Sequence, residues 1–288
     1  MLKTTPLVVR PHFRVHAWTC EPDGPGWSPV ECPANARLVL VRAGRFRRRS
    51  TGGSADFDAT LGYLGVPGEE EHFAHPHGGD VCTSVWLSAA AWSQLVGNPR
   101  RMRRATVYVD ARVELAHRRL LAAGGTDVDY LLAEELVQLF ARAVRGAAEH
   151  RTPVTDRPAP AERRLVGRAR SAIHDDDPAA RGLFPLAELL GTSPYRLSRA
   201  FPRELGVSLT RYRNRVRVSR ALDRLERDES RLATVAAELG FADQAHFTRV
   251  VRQQLGQTPA ALRCELRRAS TGGPKSTDAS SVRSRLSV

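Results

Sequence analysis

The chain has 288 residues, 42% of them hydrophobic and 26% charged, the balance of a globular protein of about two domains, which excludes a wholly disordered or fibrous one. No run approaches the roughly 18 apolar residues of a membrane span, the opening MLKTTPLVVRPHF has no apolar leader core or cleavage site, and Cys20, Cys32, Cys82 and Cys264 form no C-x-x-C pair, so a cytoplasmic protein with reduced thiols and no membrane contact is expected. The net charge of +13 is uneven, with 24 basic and 21 acidic side chains in residues 1–180 against 17 and 9 in residues 181–268, and such a concentration of arginine points to a polyanion, nucleic acid first.

From His12 to Leu87 short runs such as FRVHAW, ARLVLVRAG, TLGYLGV and DVCTSVWL alternate with PDGPG, STGGS, PGEEE and PHGG. Strands broken by glycine turns, in a small barrel or sandwich, fit that texture. Past Leu87 the period changes. AAAWSQLV, RVELAHRRLLAA and DYLLAEELVQLFARAVRGAAEH place leucine and valine three and four residues apart, which predicts helices ending in a helical hairpin. Residues 1–150 are therefore expected to form a β-rich sensing or dimerisation domain. Three prolines in RTPVTDRPAP predict a linker over residues 151–160, residues 161–268 are expected to be helical almost throughout, and residues 269–288 read as a flexible basic tail. The expected class is multidomain α+β: a β-rich barrel or sandwich with its hairpin, then an all-α unit.

The helical half repeats itself. LAELLGTSPYRLSRAFPRELGVSLTRYR, from Leu186, lies over VAAELGFADQAHFTRVVRQQLGQTPAALR, from Val235, with one residue inserted in the turn. Each copy is a short helix, a glycine turn (Gly191, Gly240) and a second helix with its own start signal, the helix-turn-helix arrangement. In the first copy Ser193 can cap the second helix and Pro194 suits its first turn. Leu197, Ala200, Phe201 and Leu205 make its apolar stripe, turning Tyr195, Arg196, Ser198, Arg199 and Arg203 outward. In the second, Phe247, Val250, Val251 and Leu255 make the stripe, and Gln244, Ala245, Thr248, Arg249 and Arg252 face out. With Ser193 these are the candidate DNA-binding residues. Arginine reaches guanine O6 and N7 bidentately, glutamine suits adenine, a small Ala245 admits a thymine methyl, and serine and tyrosine bond phosphates. A helix over Leu209 to Arg227, roughly 28 Å long at 1.5 Å per residue, would set the two recognition helices about one DNA turn apart.

The segment Gly240-Phe241-Ala242-Asp243-Gln244-Ala245-His246-Phe247-Thr248-Arg249, then Gly256 and Thr258-Pro259-Ala260-Ala261-Leu262-Arg263, resembles the signature of the AraC/XylS family of bacterial transcription regulators, and Ser193 to Phe201 resembles that family's first helix-turn-helix. The resemblance covers roughly Glu162 to Arg268. It implies a seven-helix domain bound to double-stranded promoter DNA, with Tyr195, Arg196, Arg199, Gln244, Thr248 and Arg249 at the reading positions and Leu197, Phe201, Phe247 and Leu255 in the core. It also implies contact with RNA polymerase, a small-molecule effector in the N-terminal domain, and a homodimer paired through helices such as Tyr130 to His150. Pro202 departs from the family, standing where a basic residue is usual and lacking the N–H for the Ser198 carbonyl. Val251 replaces the usual aromatic.

Other features have plainer readings. His246 and Asp243 suit helix packing and capping, and Asp175, Asp176 and Asp177 before Pro178 suit a turn. The arginine run from Arg45 to Arg49 reads as a solvated strand edge. His72, His75, His77 and Cys82 are the one constellation with metal-ligand chemistry, yet Pro76 and Gly78-Gly79 make the segment a bend, so turn histidines, no metal, no cofactor and no catalytic residue are expected. The alternative is a metal-dependent, cupin-like enzyme with a DNA-anchoring C-terminal domain.

Overall fold

The computed structural model describes residues 2–21, 24, 26–51, 53–95, 106–123, 129–149, 160–227 and 231–271. Of the expected linker at 151–160, residues 151–159, and of the expected tail at 269–288, residues 272–288, lie outside the described residues; Pro160 opens a helix and 269–271 close one. The strands are β1 (Leu2–Val9), β2 (Phe13–Cys20), β3 (Arg37–Gly44), β4 (Phe46–Ser50), β5 (Gly53–Phe57), β6 (Leu61–Gly65), β7 (Glu71–Ala74), β8 (Asp80–Leu87) and β9 (Thr106–Tyr108). They build a six-stranded antiparallel sheet in the order β1-β2-β8-β3-β6-β9 and a three-stranded one in the order β5-β4-β7.

Alternation along the strands decides what lies on each side of the large sheet. Leu38 and Leu40 of β3, Leu64 of β6 and Val85 and Leu87 of β8 face a core closed by the helices α1 (Ala89–Leu95), α2 (Ala111–Ala123) and α3 (Asp129–Glu149), through Trp92, Val113, Leu120, Leu136 and Phe140. Val39 and Val41, one position out of phase, face the small sheet, where Phe46, Phe57 and Phe73 pack with Tyr63 of β6 at centroid distances of 5.2 to 6.4 Å. Both faces of β3 are therefore buried, which is why it reads as an unbroken apolar run. The chain is multidomain α+β, β-rich and then all helical.

The arginine run is not a solvated edge. β4 is the middle strand of the small sheet, so its side chains meet partners on both flanks. Arg48 is buried, donating to Glu71 at 2.7 and 3.1 Å and to Glu69 at 2.7 Å, while Arg47 pairs with Asp56 and Arg45 with Asp175.

The second half holds α4 (Pro160–His174), a 3-10 turn (Pro178–Arg181), α5 (Leu183–Leu189), α6 (Pro194–Leu205), α7 (Leu209–Glu226), α8 (Leu232–Glu238), α9 (Gln244–Leu255) and α10 (Pro259–Thr271). Asp177 caps the 3-10 turn, Asp176 pairs with Arg220, and Asp175 takes Arg45, so the acidic triplet is consumed in structure. No helix among the described residues is long and apolar enough to cross a membrane.

The two halves are joined by buried charge. Arg170 of α4 pairs with the buried Asp58, whose neighbour Thr60 shares a hydrogen bond of 2.9 Å with Tyr212 of α7. Burial opposes the Asp58 charge, but Arg170 and His174 outweigh it and hold the carboxyl well below its usual range. Further along α7, Arg215 and Ser219 meet Glu114 of α2, and Asp223 and Glu226 receive both Arg118 of α2 and Arg42 of β3.

Candidate nucleic-acid interface and inner cavity

The recognition helices are set by local chemistry. Gly191 and Gly240 take φ of 64° and 72°, the left-handed turn that a side chain resists. Ser193 Oγ then accepts from Arg196 N at 3.2 Å, and Asp243 accepts from His246 N at 2.6 Å, so each second helix starts on a side-chain cap. Leu197, Ala200, Phe201 and Leu205 are buried along α6, and Phe247, Val250, Val251 and Leu255 along α9. Pro202 does not end α6: the helix runs on to Leu205, where Gly206 N donates to the Pro202 carbonyl, because the buried Phe201 and Leu205 hold the last turn in place.

With the stripes buried, the other face of each helix is presented to solvent. Tyr195, Arg196 and Arg199 on α6 and Gln244, Ala245, Arg249 and Arg252 on α9 are exposed, with Ser198 and Thr248 half-buried. Arg199 is oriented by Tyr195, donating to its hydroxyl at 2.9 Å. Ser198 donates to the Tyr195 carbonyl, and Ser193 is occupied as the cap. Arg203 points away from this face toward α4, where it lies 3.3 Å from Glu162. His246 is spent inside, accepting from Ala242 N and packing edge-on against Phe241.

A feature the sequence reading missed lies between the two units. Burial, then the charge of Arg217, lowers the Arg213 pKa, and burial, then Arg181 and Arg220, lowers that of Arg217. Arg181, Arg213, Arg217 and Arg220 together make this stretch positively charged. The signal was legible as the RYRNRVRVSR run of α7, but its convergence on Arg181 is tertiary.

The inner face of the β-rich domain lines a half-open cavity of about 640 Å³. Its wall follows the period of the strands: Trp18 and Cys20 on β2, Asp80, Cys82, Ser84 and Trp86 on β8, Arg37 and Val39 on β3 and Tyr63 on β6, with Phe46 and Phe73 of the small sheet opposite. Ser84 Oγ accepts from both indoles, Trp18 at 2.6 Å and Trp86 at 2.8 Å. Arg37 pairs with the fully buried Glu71 and lies 4.9 Å over the Trp86 ring. Burial, then the neighbouring Asp80, pushes the Cys20 thiol up to about 12 and the Cys82 thiol up in the same direction. Of the four residues singled out as possible ligands, His75 and Cys82 reach this wall beside Asp80; His72 bonds the Ser28 carbonyl, and His77 is exposed in the bend.

A family model described as a helix-turn-helix domain matches residues 186–265. The arabinose operon regulatory protein of Escherichia coli strain K12 is 37% identical over 82 residues, 28% of this chain and 28% of that protein. The chain carries an AraC-type helix-turn-helix domain. The bifunctional transcriptional activator/DNA repair enzyme AdaA of Bacillus subtilis is 32% identical over 78 residues, 27% of this chain and 37% of that protein, matching the AraC-type domain alone. These matches span less than two fifths of the curated relatives' length. Among solved structures, ToxT from Vibrio cholerae O395 aligns over 89% of this chain and 99% of its own at 10% identity, with a TM-score of 0.36.

Proposed function

We propose that the protein is a cytoplasmic, sequence-specific transcription regulator, not an enzyme, that reads two successive major-groove segments of double-stranded promoter DNA with α6 and α9. The observation that carries this is the duplication itself: two capped helices, each with its apolar stripe buried and arginine on the open face, joined by the 18-residue α7. That rod is about 27 Å long at 1.5 Å per residue, long enough to hold the two helices about one DNA turn, roughly 34 Å, apart. Tyr195, Arg196, Arg199, Gln244, Ala245, Thr248, Arg249 and Arg252 are its base and phosphate contacts; Ser193 and Ser198 act at the rim, and Arg203, turned to Glu162, stays outside the contact. Residues 1–150 are its sensing and dimerisation domain, 151–160 the linker, and 161–268 the DNA-binding domain. The aromatic cavity takes a small organic effector, since its volume and few convergent polar groups suit one. Leu131 and Val137, exposed along α3, support pairing of two copies, and RNA polymerase is the remaining partner of this reading.

The test is selection of bound duplexes from a random pool by the full-length protein, then footprinting. Affinity should fall linearly on a logarithmic salt scale as phosphate contacts release counterions. Arg199→Ala and Arg249→Ala should each relax preference at separate base pairs about one helical turn apart, costing about 1 to 3 kcal/mol per bidentate contact. Uniform weakening on all sequences would assign that arginine to phosphate; no salt-sensitive binding at all would sink the reading.

A further inference from the structure

We propose that Cys20, His75 and Asp80 hold a divalent transition-metal ion of the zinc class on the wall of the inner cavity. Cys20 and Asp80 are direct partners in the antiparallel β2–β8 register, so their side chains leave the sheet on the same face. His75 arrives from the bend after β7. The Cys20 sulfur, a His75 ring nitrogen and an Asp80 carboxylate oxygen all lie within 4.8 Å of one another, a span that small side-chain shifts close around one ion.

The state of Asp80 argues for a ligand rather than for packing. Its side chain is fully buried, and His75 is its ion-pair partner among the described residues. Oδ1 lies 2.7 Å from His75 Nε2 as an ion pair, and within the buried site this oxygen has no further hydrogen bond of good geometry among the described residues. Oδ2 is held from behind by the Cys82 thiol, the outer support that fixes a ligating carboxylate. The backbone is fixed as well: Gly44, at φ +76°, packs so closely on Asp80 that an added Cβ would fall 2.7 Å from Asp80 Cα.

The donor set names the class of ion. Sulfur, nitrogen and a single carboxylate suit zinc or its neighbours and not calcium or magnesium, which take oxygen. Three protein ligands leave a fourth position, and the three line the cavity, so the open position faces a water or the lone pair of a cavity ligand.

Chelator-stripped full-length protein titrated with cobalt(II) alone tests this. One equivalent should give a sulfur-to-cobalt charge-transfer band and tetrahedral visible bands, both displaced by one equivalent of zinc. Cys20→Ser and His75→Ala should lower affinity more than about 100-fold, exceeding the loss usual for an outer-shell change, whereas Cys82→Ser, His77→Ala and a Cys32→Ser/Cys264→Ser background keep the bands. Circular dichroism of each variant checks the fold, and Asp80→Asn gives a near-isosteric second route. Bands absent from the folded wild type, bands that persist in Cys20→Ser, or bands lost in the background variant each overturn the assignment. The readout is independent of DNA binding, so its failure leaves the regulator reading standing.

Discussion

Glu114→Ala should destabilise the protein by about 3 to 5 kcal/mol, the cost of leaving buried charge without its partner, read as a lowered urea midpoint. Glu114 is 6% exposed on α2. Its Oε1 accepts from Arg118 Nη2 at 2.6 Å and from Ser219 Oγ at 2.9 Å, and Oε2 lies 2.8 Å from Arg215 Nη1. Arg118 keeps Asp223 and Glu226 when Glu114 is lost. Arg215, 1% exposed, keeps only the Val109 and Ala59 carbonyls among the described residues, so the penalty falls on it. Glu114→Gln should cost nearly as much, because the arginines need the charge and not the shape. Lys3→Gln, which breaks the exposed pair with Glu21, should change stability by less than about 1 kcal/mol. An unchanged midpoint for Glu114→Ala would show that α7 is not held to α2 by this carboxylate.

Stability should also fall as the solution is acidified from pH 7 to pH 5, by about 2 kcal/mol, with His117 as the main source. His117 is 2% exposed on α2, and burial, then Arg42 and Arg118, lowers its pKa from 6.5 to about 3. The folded state therefore refuses a proton that the unfolded chain accepts. Its contribution is complete above pH 6.5 and declines by about 1.4 kcal/mol per unit as the pH drops toward 3. Glu114 acts in the same direction at lower pH: burial opposes its charge, Arg215 and Arg118 outweigh burial, and the folded pKa is about 2 against 4.5. Its contribution is present above pH 4.5 and lost between 4.5 and 2. His117→Phe should flatten the profile between pH 7 and 5 and leave the Glu114 limb below 4.5. Denaturant midpoints in a pH series decide it; an unchanged slope in His117→Phe would move the source elsewhere.

Both effects sit on α2, and neither was legible beforehand. RVELAHRRLLAA shows a helical period, but Glu114, His117 and Arg118 are ordinary polar residues of such a helix until the fold buries them, Glu114 and Arg118 against α7. The same holds for Arg48, which reads as part of a solvated run and becomes buried once β4 lies between β5 and β7.

What the sequence determined by itself is the DNA-facing unit. Its helices depend on contacts three and four residues apart, on Ser193 and Asp243 as caps, and on glycine turns at 191 and 240, all written within a few positions of one another. Which side chains face outward then follows from which are apolar. The cavity and its cation site depended on tertiary structure. Cys20 and Asp80 become neighbours only through the β2–β8 register, and His75 reaches them only because the small sheet folds over the large one. The histidines closest in sequence, His72 and His77, were the natural companions for His75, and the fold sends both elsewhere. A helix carries its geometry in local periodicity, whereas a sheet joins distant segments, and the chemistry at such a junction belongs to the pairing and not to any one run of residues.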